Sequence, residues 1–388
     1  MHIKFVSTMV AAPWGGSEVL WSETAKKLFK QGATVTASVQ GWPKTPPQVQ
    51  ELRKFGINIW ERPFTSPNLG RRLWYKISPP EYSDPNFPRM KKWLMEGHPN
   101  LICFSDGAVL HLSHFRLLCV KLGLPYVNLA QLNAESFWPA DQIAEDQALI
   151  LEKAQKCFFV SRGNLELCEA QLGIRLPNAE VVRNPFGVEY DIKPDWPDDK
   201  EDGLSLACVA RLEPMSKGQD LLLRVLAMAK WRTRALKIHF YGEGKMERSL
   251  RRLAGMLGVE KKAIFHGKTN DIQDIWKKHH ALVLPSRHEG MPLVAVEAML
   301  CHRPVFATSV GGIPEIVKHN ETGFLTSACT VQAIDDLLEN GWNNRKQLKL
   351  MGLKAGKAIH ELVPPDPAKL FSEILLKIAY KANKHGQE

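Results

Sequence analysis

At 388 residues the chain exceeds what one hydrophobic core usually supports, so two domains are expected. Its hydrophobic fraction of 44% and charged fraction of 24% are ordinary for a globular protein, and no apolar stretch nears the ~20 residues that span a bilayer. The net charge of +10 is uneven: residues 201–388 hold 28 Lys and Arg against 20 Asp and Glu, the first 200 hold 23 against 21. That excess suits an anionic small-molecule ligand in the second half, and it is too dispersed, with no motif behind it, for nucleic-acid recognition.

The apolar run 3–12 carries Lys4 and meets Pro13, Trp14, Gly15 and Gly16, which reads as a first strand and loop rather than a secretion signal. Further strands are expected over 2–7, 33–39, 57–60, 101–104, 126–129, 156–160 and 180–183, with helices over 17–31, ending at Gly32, and 161–172, ending at Gly173. The second half offers strands over 204–209, 236–240, 263–266, 281–284, 304–307 and 323–325, and a helix over 219–230. This alternation is the pattern of parallel βαβ units. The expected division is a first domain over 1–190, an Asp-, Pro- and Lys-rich linker over 191–203 and a second domain over 204–365. A final helix is expected over 366–384, capped by Asp366, and the family resemblance given below implies that it completes the first domain. The seven cysteines (Cys103, Cys119, Cys157, Cys168, Cys208, Cys301, Cys329) are odd in number and contain no Cys-x-x-Cys. Reduced thiols in a cytoplasmic compartment are therefore expected, and no cysteine-built metal site.

The most informative stretch is 286–298, with Glu289 and Glu297 eight positions apart across a strand-to-helix turn. Gly290 permits close backbone approach and Pro292 suits a helix start, so the N–H groups of Gly290, Met291 and Leu293 are exposed to an anion there. Glu297 falls about a turn inside an apolar helix over 293–301, where an ionised carboxylate needs a hydrogen-bond donor. Taken alone, the pair is equally a helix N-terminal acid and a partly solvated edge residue. Arg211 and Lys217, six apart before a helix, oppose its dipole, so a ligand anion is their natural partner. For either cation alone, a solvated loop charge is the competing explanation.

With Gly218 after Lys217, Tyr241-Gly242-Glu243-Gly244, residues 310–317 around Gly311-Gly312 and Gly15-Gly16-Ser17-Glu18, this set resembles the retaining nucleotide-sugar glycosyltransferases of family four, closely over 204–325 and in outline before. The resemblance implies the GT-B architecture: an α/β chain of two Rossmann-like domains, each a mostly parallel sheet flanked by helices, with a cleft between them. It also implies sugar transfer from a nucleoside-diphosphate donor, UDP or GDP, to a glycan, lipid-linked or other hydroxyl acceptor in polysaccharide or glycoconjugate synthesis. On that basis Arg211 and Lys217 hold the diphosphate, making a metal or other cofactor unnecessary, and Glu289 holds the transferred sugar. Glu297, Gly290, Met291, Leu293, Gly242 and Gly267 line the donor site, with the base near His266-Gly267-Lys268, while Gly15 and Gly16 line the acceptor side with Glu18 as a weaker candidate. Where many members carry His-Asp after the strand 126–129, this chain has Ala130-Gln131-Leu132-Asn133, so a histidine contact is in doubt and Asn133 or Gln131 is the substitute.

Other readings remain. A nucleotide-sugar 2-epimerase, a glycan phosphorylase and a nucleotide-sugar-binding protein without turnover share the architecture. Glu247 stands where the third glycine of Gly-x-Gly-x-x-Gly belongs, which weakens a nicotinamide site. His111 and His114, and the pair His279-His280, lack a third metal ligand and read as surface or core histidines. The segment 71–93 interleaves Arg71, Arg72, Lys76, Arg89, Lys91 and Lys92 with Leu73, Trp74, Tyr75, Phe87 and Trp93. It suits peripheral docking on an anionic inner membrane face, and equally a solvated loop whose aromatics face the core.

Overall fold

The computed structural model describes residues 1–10, 12–63, 84–108, 113–197, 203–269 and 271–385. His111 and the basic-aromatic residues Arg71, Arg72, Leu73, Trp74, Tyr75 and Lys76 lie outside them. The chain forms two compact units, Met1–Pro185 with Asp366–Glu388, and Phe186–Pro365.

In the first unit β1 (His2–Ser7), β2 (Thr34–Gln40), β3 (Asn58–Arg62), β4 (Leu101–Asp106), β5 (Tyr126–Ala130), β6 (Lys156–Phe159) and β7 (Ala179–Val181) form a parallel sheet in the order β3-β2-β1-β4-β5-β6-β7. Ile3, Phe5, Leu101 and Cys103 enter one buried cluster and Val6, Ile102 and Phe104 another, as the period-two alternation of a sheet packed on both faces requires. The helix Pro367–His385 places Phe371, Leu375 and Ala379 in the first of these clusters, with Phe371 edge-on to Phe158 at 5.0 Å. Asp366 caps it by accepting the Lys369 N–H at 2.9 Å.

The second unit repeats the scheme with β8 (Leu204–Val209), β9 (Leu236–Tyr241), β10 (Ala263–Gly267), β11 (Ala281–Leu284), β12 (Val305–Thr308) and β13 (Gly323–Thr326), parallel in the order β10-β9-β8-β11-β12-β13. In each sheet the order reverses once, between β1 and β4 and between β8 and β11. Such switch points leave the carboxyl ends of two neighbouring strands open to a ligand.

The expected helix over 219–230 stops at Leu226 and a second short helix spans Ala229–Thr233. Before it, Pro214–Lys217 is a helical turn rather than a loop, closed by Gly218 at φ +66°. A side chain on Gly218 would strike the Pro285 carbonyl oxygen, 2.0 Å from the added Cβ, so the glycine brings the β8 and β11 loops into backbone contact. All seven cysteines stand outside any disulfide, and burial lifts Cys119, Cys157, Cys168, Cys208 and Cys301 to about 12. These thiols are inert packing groups. No helix among the described residues is long and apolar enough to cross a membrane.

Candidate functional site

The two loops at the β8/β11 switch point carry the charged residues. Lys217, at the end of its short helix, donates to Glu289 Oε1 at 2.6 Å, and Ser286 Oγ donates to the same oxygen at 2.7 Å. The ammonium side chain is 19% exposed and the carboxylate 8%, so this pair is shielded and geometrically fixed. Arg211 is 58% exposed and meets Glu213 at 3.2 Å. The four charges all act on His288: burial and then Lys217 lower its imidazole, Glu289 and Glu213 oppose that, and Arg211 adds to it. Arg211, Lys217 and Glu289 therefore lie within electrostatic reach of one residue. The sequence reading gave His288 no role.

Arg287 holds the arrangement. Its guanidinium grips Asp220 through two bonds, 3.0 and 3.1 Å, and its backbone N–H donates to Ser216 at 2.8 Å. The β11 loop is thereby tied to the element that carries Lys217. From the other side, Thr308 Oγ1 donates to the Ser286 carbonyl at 2.5 Å.

The helix begins at Leu293, with Pro292 just before it. The N–H groups of Gly290, Met291 and Leu293 donate to no group among the described residues, as the orphan donors of a helix start do. Gly311, at φ +56°, lies so close that an added Cβ would come within 1.9 Å of the Glu289 carbonyl oxygen, and Gly312 N–H donates to Gly290 O at 2.7 Å. The Gly311-Gly312 pair thus shapes the Glu289 loop from beneath. Glu297 is buried on the helix among Ala295, Val296, Ala298 and Met299, and Oε1 accepts the Gly187 N–H at 2.8 Å. Burial raises its carboxyl and that N–H opposes the rise.

Other expected residues fall elsewhere. Gly242 N–H donates to Gly267 O at 2.8 Å, and Cβ atoms on Gly242 and Gly244 would strike the carbonyl oxygens of Ala210 and Leu212 at 2.1 and 2.3 Å. This glycine motif lets the β9 loop lie on the Arg211 loop; it cradles backbone. Gly267, at φ +75°, opens onto free space. In the first unit Gly15 is extended at φ −157° and accepts the Glu18 N–H, and Gly16 opens a 3₁₀ turn. The Asn133 amide donates to Gln171 and its oxygen accepts from Ala134 N–H, while Gln131 and Asn184 exchange amide bonds. Asn133 and Gln131 belong to an internal amide framework. His114 bonds Asp84 at 2.8 Å, and no group of three or more His, Cys, Asp or Glu is placed to hold a metal among the described residues. Of the basic-aromatic segment, Phe87, Met90 and Leu94 are buried while Arg89, Lys91 and Lys92 face outward.

Two units, each a parallel sheet with one reversal of strand order, define the GT-B class of fold. HepE of Anabaena, solved with UDP, superposes with a TM-score of 0.74 at 19% identity, covering 97% of this chain and 100% of that one. Residues 192–357 match the model described as "Glycosyl transferases group 1". An N-acetyl-alpha-D-glucosaminyl L-malate synthase of Bacillus anthracis is 28% identical over 168 residues, 42% of this chain and 43% of the relative. A GDP-mannose-dependent alpha-(1-6)-phosphatidylinositol monomannoside mannosyltransferase of Mycolicibacterium smegmatis is 32% identical over 197 residues, 45% of this chain and 50% of the relative. Matches to such curated relatives span 34% to 50% of the relatives' own length.

Proposed function

We propose that the protein is a retaining, metal-independent glycosyltransferase that moves a sugar from a nucleoside-diphosphate donor to a hydroxyl of a glycan or lipid-linked acceptor. The observation that carries this reading is the fixed Lys217–Glu289 pair at 2.6 Å, on a loop whose His288 also feels Arg211, followed by the undonated N–H groups of Gly290, Met291 and Leu293. The activities of the relatives point the same way.

In the reaction the bond from the anomeric carbon to the diphosphate breaks and its electron pair leaves with the phosphate oxygen. The acceptor oxygen then bonds that carbon on the same face and its proton is released. Charge grows on the departing diphosphate, so fixed donors aimed at it lower the barrier. Lys217 acts as a point charge and Arg211 as a two-pronged donor, with the helix-start N–H groups completing the set. The ligand competes with Glu289 for Lys217 and with Glu213 for Arg211, and Glu289 then faces the sugar's hydroxyls. Glu297, with Oε1 already bonded to Gly187, offers its other oxygen to the ribose. The chain acts in the cytoplasm, and the first unit takes the acceptor.

Calorimetry with UDP and GDP, followed by diphosphate release from their sugars and anomeric analysis of the product, tests this. Arg211→Ala and Glu297→Ala should each weaken nucleotide binding by about tenfold or more, the worth of a hydrogen bond to a charged group. Unchanged affinity in both variants, an epimerised donor or an inverted product would refute the reading.

A further inference from the structure

The loop that bears Arg211 is closed by a side chain to which the proposed chemistry gives no part. Gln219, the first residue of the Gln219–Leu226 helix, is fully buried. Its Nε2 donates to the Arg211 carbonyl, eight positions back, at 2.7 Å. Its Oε1 is buried with no hydrogen-bond partner among the described residues. The opposite orientation of the amide would set that oxygen against the Arg211 oxygen and strand two N–H donors, so the bond fixes which way the group points. A buried amide with one atom unsatisfied contributes little to stability, and such an orphan calls for a cause.

The surroundings supply one. The Arg211 carbonyl also accepts the Glu213 N–H at 2.8 Å, and the Glu213 carbonyl accepts from Ser216 and Lys217 at 3.0 and 2.9 Å. On its other flank the loop lies against Gly242 and Gly244 through the carbonyls of Ala210 and Leu212. The backbone at Arg211 is thus gripped, while the guanidinium, paired with Glu213 at 3.2 Å, is more than half exposed. A long side chain that swings from Glu213 to a ligand binds better from a fixed root, because freedom lost on binding weakens the complex.

We propose that Gln219 is a positioning residue for Arg211: its amide pins the Arg211 carbonyl, so that the guanidinium meets the donor's diphosphate from one fixed backbone origin. This rests on the glycosyltransferase reading and adds a residue that touches neither substrate nor reacting atoms. Removal of the amide leaves the Arg211 carbonyl bonded to the Glu213 N–H and strands no donor. Folding should therefore change little while nucleotide binding suffers.

The test is a double-mutant cycle on the full chain, read by thermal melts and by calorimetry with whichever of UDP and GDP the unaltered chain binds. Gln219→Met keeps the length of the side chain and removes its amide. It should weaken nucleotide binding about tenfold and move the melting temperature by no more than about 3 °C. In the Arg211→Ala background the same substitution should change affinity by less than about twofold, because the group that it positions is gone. Equal weakening in both backgrounds overturns the proposal, as does a lowered melting temperature with affinity kept. If Gln219→Met fails to fold, Gln219→Leu goes through the same cycle; failure of both to fold also overturns the proposal, since the amide would then serve stability. Absence of UDP and GDP binding by the unaltered chain sinks the glycosyltransferase reading and the positioning role with it. Nucleotide binding indifferent to Gln219 sinks the positioning role alone.

Discussion

At the scale of single residues, the site depends on side chains and glycines that touch no proposed substrate. Arg287 couples the β11 loop to Asp220 through a fork that a lysine would not reproduce. Arg287→Ala and Arg287→Lys are both expected to lower stability by about 1 to 2 kcal/mol and to raise the donor KM more than they lower kcat. Thermal melts and steady-state kinetics read the two effects. Gly311 offers a sharper contrast with Gly173, because both have positive φ but only Gly311 faces a backbone oxygen where its Cβ would go. Gly173→Ala should cost about 1 to 2 kcal/mol, the strain of a left-handed residue. Gly311→Ala must also displace the Glu289 loop and should exceed that, with UDP binding lost alongside; equal melting shifts for the two variants would contradict the assignment. Little of this was legible in sequence. The charged residues announced themselves by type and spacing, but Lys217 and Glu289 are 72 positions apart and no local pattern pairs them. Nor does any local pattern show that the amide of Asn133, expected to stand in for a histidine contact, bonds Gln171, 38 positions away.

At the scale of elements, legibility was high where burial imposes a pattern. Strands buried on both faces read as near-continuous apolar runs, so β4, β5, β11 and β12 stood out to within about two residues at each end. The break of the expected 219–230 helix after Leu226 was not legible because Ala227 and Met228 carry no sequence signal of a stop. The histidines at 239, 266 and 279 look unremarkable in sequence, yet β9, β10 and the start of β11 bring them together with Tyr241. His239 and His266 share a 2.8 Å bond, Tyr241 OH meets His279 at 2.8 Å, and His279 meets Ser205 at 2.7 Å. Burial first, then His266 and Lys237, pulls His239 down to about 4, and burial first, then His239, His266, His280 and Lys278, pulls His279 down to about 3. In the unfolded chain both titrate near 6.5, so the unfolded state takes up protons first as pH falls. Stability is full above about pH 6.5 and drains away toward pH 3 to 4. Melting temperature should therefore drop steeply between pH 6.5 and 4, and His239→Gln should flatten that slope. A slope identical in the variant would mean the cluster is not its source.

At the scale of the whole molecule, the chain leaves its first unit at Pro185, builds the second and returns at Asp366 to finish the first. That return is energetic as well as topological. Phe371, Leu375 and Ala379 are fully or almost fully buried in the first unit's core. Lys27 pairs with Asp366 at 2.5 Å and Thr24 Oγ1 donates to the Ala368 carbonyl at 3.4 Å. Burying one Phe and one Leu contributes about 3 to 6 kcal/mol by transfer alone, which is comparable to the 5 to 15 kcal/mol that holds a typical domain folded. The Lys27–Asp366 pair, more than a third exposed on both sides, adds little. A chain ended at Pro365 should therefore lose or severely weaken the first unit while the second, whose sheet and core contain none of the removed residues, keeps its own cooperative transition. Differential scanning calorimetry of the truncated chain should show one transition, raised by UDP, in place of the full chain's two. The double substitution Phe371→Ala with Leu375→Ala should reproduce the loss without shortening the chain, and its first-unit transition staying at the unaltered temperature would show that the returning helix is not what completes that core.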